Sequence, residues 1–229
     1  MATYLILVAG GTGSRMSSEI PKQFLHLLGK PVICHSIEIF QKEIQELKII
    51  VAVHSDWITF LRSELSKHFP EHNFSIVAGG ETRFHSVKNG LEIIPYETDS
   101  IVMIHDAARP LVSAETIQRC VTATKLHGNA IPVTPIAESL REVKGENSLA
   151  VNRDFMRSVQ TPQCFNVNLI KKAFEQQWQP QFTDDASVAE AAGNKIHLVE
   201  GNRENIKITF PEDLEFASLS LLKKSARKN

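Results

Sequence analysis

The stretch that decides the fold is Tyr4-Leu-Ile-Leu-Val8, followed at once by Ala9-Gly-Gly-Thr-Gly-Ser-Arg-Met16. The first five residues form an unbroken apolar run, which is typical of a buried strand. The glycine-rich stretch after it predicts a sharp turn at the end of that strand. Together they predict the start of an α/β fold with a loop that carries chemistry.

The loop is suited to binding a polyphosphate. Gly10, Gly11 and Gly13 carry no side chains, so the backbone N–H groups can approach a ligand closely. Arg15 and Lys22 add two positive charges shortly after the turn, and such donors are favourable partners for phosphate. The glycines alone fit an ordinary strand-to-helix turn equally well, so other segments must decide.

Several common catalytic templates do not match the chain. The dinucleotide-binding fingerprint requires a glycine where Met16 stands, and the Gly-Lys-Ser/Thr ending of a Walker A loop does not occur. This argues against a dinucleotide-dependent oxidoreductase. The histidines show no spacing typical of a zinc site, and Ser86 lacks the context of a hydrolase nucleophile.

Composition bounds the class of protein. The 229 residues suffice for one sizeable core, and we expect a single domain over residues 1–229. The net charge of −1 argues against binding to nucleic acid or to an anionic membrane surface. Three cysteines far apart, Cys34, Cys120 and Cys164, fit reduced thiols rather than a disulfide framework. We therefore expect a cytoplasmic protein without a signal peptide or a membrane span.

Apolar strand-like runs alternate with helical patterns along most of the chain. This order predicts a single Rossmann-like α/β fold, with a mostly parallel sheet and helices on both faces. The predicted strands cover residues 4–8, 48–53, 74–77, 100–104, 130–133, 195–199 and 206–209. The predicted helices cover residues 31–40, 56–68, 82–94, 113–125, 166–178 and 183–193, with a last one from residue 211.

Three unusual loops follow predicted strands. They are the opening glycine loop, Gly79-Gly80-Glu81, and the segment from Asp106 to Arg109. Ligands of open α/β sheets bind beyond the carboxyl ends of the strands. We therefore expect the three loops to converge on one cleft.

Residues 136–158 interrupt the alternation of strands and helices. Two strand-like pieces, residues 139–143 and 148–152, flank a polar turn and predict a projecting β-hairpin arm. Because an isolated hairpin is marginally stable in water, the arm should pack on another surface. A partner subunit and the edge of the chain's own sheet are equally good candidates at this point.

Some polar residues have two interpretations. Asp106 follows a predicted strand, where it could hold Mg²⁺, or it could pair with Arg109 to fix the loop. Lys207 and Arg153 could simply be solvated surface side chains. Asp184-Asp185 looks like a catalytic carboxylate pair, yet after Thr183 it fits a helix N-terminus better.

Taken together, the segments resemble the 2-C-methyl-D-erythritol 4-phosphate cytidylyltransferases, within the sugar-phosphate nucleotidyltransferases. The likeness runs from Leu5 to about Ala217. Several ordered blocks at suitable separations carry it: Gly11-x-Gly13-x-Arg15-Met16, Pro21-Lys-Gln-Phe24, Gly79-Gly80-x-x-Arg83-x-x-Ser86-Val-x-Asn-Gly-Leu91, His105-Asp-Ala-Ala-Arg-Pro110, Gln160-Thr-Pro-Gln163, Thr183-Asp-Asp-Ala-Ser187 and Asn205-Ile-Lys207.

The resemblance implies transfer of CMP from CTP to methylerythritol phosphate, with Mg²⁺ as cofactor. It implies that Arg15 and Lys22 stabilise charge on the triphosphate, and that Gly80, Glu81 and Ser86 border the cytosine. The full set implied for CTP is Ala9, Gly10, Gly11, Gly13, Gly80, Glu81, Ser86 and Ala107, the last of which also lines the sugar-phosphate site.

The resemblance also implies the acceptor half of the site. Asp106 would bind Mg²⁺ and, with Arg109 and Thr161, contact the sugar phosphate, while Lys207 would orient the attacking phosphate. In that family the arm joins two subunits, so a homodimer is expected in which Ser139 and Arg153 enter the partner's site.

Two alternatives remain from the sequence. The opening loop and residues 160–165 also resemble the D-ribitol-5-phosphate cytidylyltransferases, but residues 86–91 and 183–187 favour methylerythritol phosphate. A nucleotide-binding module without catalysis would be marked by loss of Arg15, Lys22 or Asp106, and all three are present.

Overall fold

The computed structural model describes residues 2–11, 20–96 and 100–226. The strands in these ranges are β1 Thr3–Ala9, β2 His26–Leu27, β3 Lys30–Pro31, β4 Leu47–Val53, β5 Ser75–Ala78, β6 Ile101–Asp106, β7 Asn129–Pro135, β8 Leu140–Lys144, β9 Asn147–Val151, β10 Arg157–Val159, β11 Gln163–Asn166 and β12 Leu198–Glu200. The helices are α1 Val32–Glu43, α2 Ile58–His68, α3 Arg83–Glu92, α4 Ala114–His127, α5 Val167–Ala173, α6 Asp185–Ala191 and α7 Pro211–Ala226.

The main sheet has the strand order β10-β7-β11-β6-β1-β4-β5, and β12 pairs with β7. β1 runs parallel to both of its neighbours, whereas β11 and β10 are antiparallel to the strands beside them. The predicted fold class, α/β with a mostly parallel sheet, is confirmed.

The apolar run that opens the chain is the central strand of this sheet. Leu5 and Leu7 pack into the core cluster beneath α1, α2 and α4, while Tyr4 and Ile6 pack into the cluster beneath α3, α5 and α6. Successive side chains of a strand point to opposite faces, so a strand between two helical layers must be apolar at every position. Because β1 is buried on both faces, its position in the sheet is fixed, and so is the position at which the glycine loop begins.

The chain changes direction across the sheet next to β1. From β1 it proceeds to β4 and β5 on one side, then crosses to β6 on the other. The carboxyl ends of β1 and β6 therefore form a topological switch point, where open α/β sheets bind their ligands. Gly10 and Gly11 follow one of these strands, and Asp106 ends the other.

Two element predictions were wrong, and some short strands were not predicted. Residues 206–209 form no strand: Ile206 N–H donates to the carbonyl of Glu204 and Ile208 N–H to that of Ala108, so the segment joins no strand of the sheet. The helix that starts at Val167 ends at Ala173 and does not reach residue 178. The short antiparallel strands β10 and β11 were not predicted, since they lack a clear apolar pattern.

The arm is a two-stranded hairpin of β8 and β9, with Gly145 at φ 60° in the turn. Among the described residues these strands pair only with each other, so of the two surfaces considered for the arm, the edge of the chain's own sheet is not the one with which it pairs. The arm and its base expose Val143, Leu149 and Phe155, the last at 82% of its surface. No helix in the described ranges is long and apolar enough to cross a membrane.

Candidate active site

A cavity of about 440 Å³ lies at the switch point. Its walls come from the glycine loop, the turn before α3, the end of β6 and the segment before α7. Eight of the residues predicted for the site line it: Gly10, Gly11, Lys22, Gly80, Glu81, Ser86, Asp106 and Lys207. Gly13 and Arg15 lie outside the described residues.

Gln23 holds the opening loop in place and was not predicted for the site. Its side-chain amide donates to the carbonyl of Ala9 at 2.6 Å and to that of Gly11 at 3.2 Å. Gln23 is buried and lines the cavity beside Lys22, which is 8% exposed. The Pro21-Lys-Gln-Phe24 string therefore supplies a loop anchor and a cation from adjacent residues.

Ser86 shapes the opposite wall. Its hydroxyl donates to the carbonyl of Thr82 at 3.1 Å and accepts the backbone N–H of Gly80 at 3.0 Å. A side chain at Gly80 would collide with the Cβ atom of His85, so only glycine fits this turn. At Gly80 only the backbone therefore borders the cavity.

Asp106 is the centre of a cluster of cations. Its Oδ2 atom lies 3.0 Å from Lys207 Nζ and 3.2 Å from Arg109 Nε, and its Oδ1 atom lies 3.5 Å from Arg83 Nε. Burial acts to raise the pKa of Asp106, but the three cations outweigh it and hold that pKa well below its ordinary value. The carboxylate is therefore ionised at neutral pH and gathers positive charge at the cavity wall.

The segment that carries Lys207 is fixed on both sides of that residue. Arg109 Nη1 donates to the carbonyl of Asn205 at 2.8 Å, and the Asn205 amide donates to the carbonyl of Thr161 at 2.8 Å. On the other side, Ile208 N–H donates to the loop after β6 at 2.9 Å. These bonds, not strand pairing, place Lys207 in the cavity.

Thr161 and His105 support Asp106 from behind. Thr161 Oγ1 accepts the backbone N–H of Asp106 at 3.1 Å and lies 2.9 Å from His105 Nδ1. His105 Nε2 lies 3.0 Å from the carbonyl of Arg109, so this nitrogen carries the proton and Thr161 donates to Nδ1. Burial lowers the pKa of His105 to about 4, which keeps the ring neutral.

This arrangement predicts a pH-dependent stability. Unfolded His105 gains a proton near pH 6.5, whereas the folded ring resists protonation down to about pH 4. The free energy of unfolding should therefore be highest above pH 6.5 and fall by about 3 kcal/mol as the pH is lowered to 4, because protonation of His105 then favours the unfolded chain. Urea unfolding at several pH values checks this, with His105→Asn expected to show a flatter dependence. An equal pH dependence in both proteins would contradict it.

The described residues do not form a metal site of their own. They contain no group of three His, Cys, Asp or Glu side chains that could hold a metal ion. Both oxygens of Asp106 already contact cations, so a protein-held Mg²⁺ would have to displace them. The ion-pair interpretation of Asp106 fits this geometry better than the metal-ligand one.

Six other predicted residues lie outside the described lining of the cavity, among them Arg109, which contacts Asp106 Oδ2. Ala9 and Ala107 are buried in the core cluster beneath α1, α2 and α4, and Ala108 lines the cavity in place of Ala107. Thr161 lies in the layer behind Asp106, as described above. Ser139 and Arg153 are exposed on the arm and do not line this chain's own cavity.

The comparison with protein families decides the identity. Residues 3–223 match the family described as 2-C-methyl-D-erythritol 4-phosphate cytidylyltransferase. The chain belongs to this family. A cytidylyltransferase of that name from Bacteroides thetaiotaomicron is 45% identical over 221 residues, which cover 96% of this chain and 100% of the relative.

Solved structures agree with the family. The methylerythritol phosphate cytidylyltransferase of Francisella tularensis superposes with a TM-score of 0.80 and 32% identity, covering 96% of this chain and 99% of that one. The bifunctional IspDF of Campylobacter jejuni superposes with a TM-score of 0.79 and 31% identity over 94% of this chain. The chain spans 54% of that bifunctional protein. The resemblance seen in the sequence is thus confirmed, and the family is one of nucleotidyltransferases.

Proposed function

We propose that this chain transfers CMP from CTP to 2-C-methyl-D-erythritol 4-phosphate, giving 4-diphosphocytidyl-2-C-methyl-D-erythritol and pyrophosphate. The observation that carries the proposal is the convergence in one cavity of the Gly10–Gly11 loop, Ser86, and the cations Lys22 and Lys207 beside Asp106. This set of groups suits a reaction between two highly charged phosphates.

The chemistry needs charge neutralisation more than proton transfer. A phosphate oxygen of the acceptor attacks the α-phosphorus of CTP, and the bond from that phosphorus to the β-phosphate oxygen breaks as pyrophosphate leaves. The acceptor monoester is mostly dianionic at neutral pH, since its second pKa is about 6. It requires no strong base, so positioning and electrostatic stabilisation carry the catalysis.

In this proposal the glycine loop and Lys22 hold the triphosphate. Gln23 fixes the Ala9 and Gly11 carbonyls, which leaves the loop's N–H groups to the phosphates. The sequence adds Gly13 and Arg15 to the same end. Lys22 and Arg15 stabilise the charge that builds up on the leaving pyrophosphate.

The Gly80 to Ser86 wall is proposed to border the cytosine, together with Glu81. The Ser86 hydroxyl already donates to Thr82 and accepts from Gly80, so a ligand can use only its remaining lone pair. That lone pair can accept a hydrogen bond from an amino group. The 4-amino group of cytosine is such a donor, whereas the 4-carbonyl of uracil is not.

The acceptor phosphate is proposed to lie against Lys207, beside Asp106. Arg109 and Thr161 act there by fixing the Asp106 and Lys207 segments, since both make their bonds behind the cavity wall. Arg153 and Ser139 of a second copy complete the site through the arm. Mg²⁺ fits this site as a counter-ion held by the phosphate oxygens of CTP, which suits its preference for phosphate and water ligands.

A homodimer through the arm is part of the proposal. The arm is unpaired with the main sheet and exposes Val143, Leu149 and Phe155, which a second copy would cover. The three described cysteines are free and buried, which supports a reducing cytoplasmic location.

One experiment tests the reaction. Pyrophosphate release is measured with each of the four nucleoside triphosphates, with methylerythritol phosphate or D-ribitol 5-phosphate as acceptor. We expect CTP with methylerythritol phosphate to exceed every other pair by at least about 100-fold, because the base and the polyol are each read by hydrogen bonds. Equal rates with ribitol phosphate would overturn the acceptor assignment, and no release with any pair would overturn the activity.

A further inference from the structure

The two carboxylates of Thr183-Asp-Asp do different work. Asp184 caps α6, because its side chain accepts the N–H of Ser187 at 2.8 Å while Ser187 Oγ accepts the N–H of Asp184. The predicted helix start is therefore correct for Asp184. Asp185, one residue later, takes no part in this cap.

Asp185 instead binds an arginine from a distant part of the chain. Its Oδ1 and Oδ2 atoms accept from Arg83 Nη1 at 2.8 Å and Nη2 at 2.7 Å, and its side chain is 1% exposed. This is a bidentate pair, the arrangement that fixes a guanidinium in orientation as well as position.

The same arginine reaches the site. Arg83 is the first residue of α3, lines the cavity, and directs its Nε atom at Asp106 Oδ1 from 3.5 Å. The Asp185 carboxylate neutralises its charge and engages both terminal nitrogens, so Arg83 is poorly placed to act as a mobile phosphate-binding cation. The Nε–H group, which Asp185 does not engage, points towards Asp106.

We propose that Asp185 and Arg83 form a positioning pair for the acceptor half of the site. They hold one oxygen of Asp106, so that the other oxygen faces Lys207 and keeps its ammonium group where the acceptor phosphate binds. This inference rests on the proposed function. Neither residue is a catalytic residue, because both act through Asp106.

The burial pattern supports a positional role. Burying an ion pair costs desolvation, so well-packed apolar residues are often at least as stabilising. Here Asp185, at the start of α6, binds Arg83, and Arg83 contacts Asp106, the carboxylate that lies 3.0 Å from Lys207 Nζ. Without Arg83 the Oδ1 atom of Asp106 loses its partner and only the contacts of Arg109 and Lys207 with Oδ2 hold the carboxylate, which can then shift. A displacement of about 1 Å can cost 100-fold in rate.

The variant Asp185→Asn tests the pair, because it keeps the shape of the side chain and removes its charge. We expect kcat/KM for methylerythritol phosphate to fall roughly 10-fold to 100-fold, as for other supporting groups behind a site, while KM for CTP changes less than about threefold. Arg83→Lys should give the same acceptor-specific loss. Asp184→Asn is the matched control: it removes the neighbouring charge, keeps an oxygen that caps α6 at the cost of the bond from Gln163 Nε2, and should change both constants less than about threefold.

A double-mutant cycle with Asp106→Asn separates positioning from general destabilisation. If Asp185 acts through Asp106, Asp185→Asn should lower activity less than about threefold in the Asp106→Asn background. Effects that multiply fully in the double variant would overturn the inference, as would unchanged acceptor kinetics in both single variants. A wild-type protein that releases no pyrophosphate would overturn the proposed function first, and the inference with it.

Discussion

A Lys22→Ala protein is expected to turn over about 100-fold to 1,000-fold more slowly than the wild type, as when a preorganised charge-stabilising group is removed. Lys22 is nearly buried in the cavity wall beside the glycine loop, so its charge acts with little screening by water. Its proposed partner is the leaving pyrophosphate, whose charge grows only during the reaction. KM for methylerythritol phosphate should therefore change less than about threefold. Steady-state pyrophosphate release measures both constants.

Two further variants make this result specific. Lys22→Met keeps most of the buried side-chain volume, so it should show the same loss of turnover without the packing defect of alanine. Lys30→Ala removes a lysine that pairs with Glu38 outside the cavity and should leave turnover unchanged. Near-normal turnover in both Lys22 variants would contradict the role assigned to this residue.

The sequence predicts the central layers of the fold well, because they depend on local patterns. β1, β4 and β6 each contain an unbroken apolar run, because burial between two helical layers favours apolar residues on both faces of a strand. The edge of the sheet is different. Residues 163–166 form an antiparallel strand between β6 and β7 only because those two longer strands leave a space there.

The site was less predictable than the fold, since its contacts join distant parts of the chain. The glycine loop and Asp106 could be placed together from the rule for open α/β sheets. The local pattern at Lys207 indicates a solvated strand residue, and only the family resemblance gives it a role. Its position is explained by two bonds of Asn205, which accepts from Arg109 and donates to the carbonyl of Thr161. No local pattern shows such bonds.

Arg83 and Asp185 show the same limit more clearly. They are 102 residues apart, and each has an ordinary local explanation, one at the start of α3 and the other at the start of α6. Gln23 was easier to predict from the sequence, because it follows Lys22 in Pro21-Lys-Gln-Phe24 and its amide can donate to two carbonyls. A closer look at polar residues next to predicted cations would have found it.

In the proposed homodimer, the arm of each chain completes the active site of the other, so two chains share each site. Arg153 and Ser139 lie on an exposed segment and do not line the cavity of their own chain, whereas Lys22 does. Arg153→Ala and Lys22→Ala homodimers should each be nearly inactive, because every site lacks one group. In a heterodimer, one of the two sites combines an intact Lys22 with an intact Arg153 from the other chain. Random exchange of equal amounts should therefore restore about a quarter of wild-type activity.

A second mixture of variants distinguishes active sites shared between two chains from active sites formed within one chain. Lys22 and Asp106 line the same cavity of one chain, so mixing Lys22→Ala with Asp106→Asn should restore nothing, because no combination gives an intact site. Differently tagged chains and native mass measurement show whether heterodimers have formed. Heterodimers of the Arg153 and Lys22 variants without recovered activity would rule out a site completed by the partner's arm. Recovery in that mixture alone requires one chain to supply the phosphate-binding cation and the other to supply the arm.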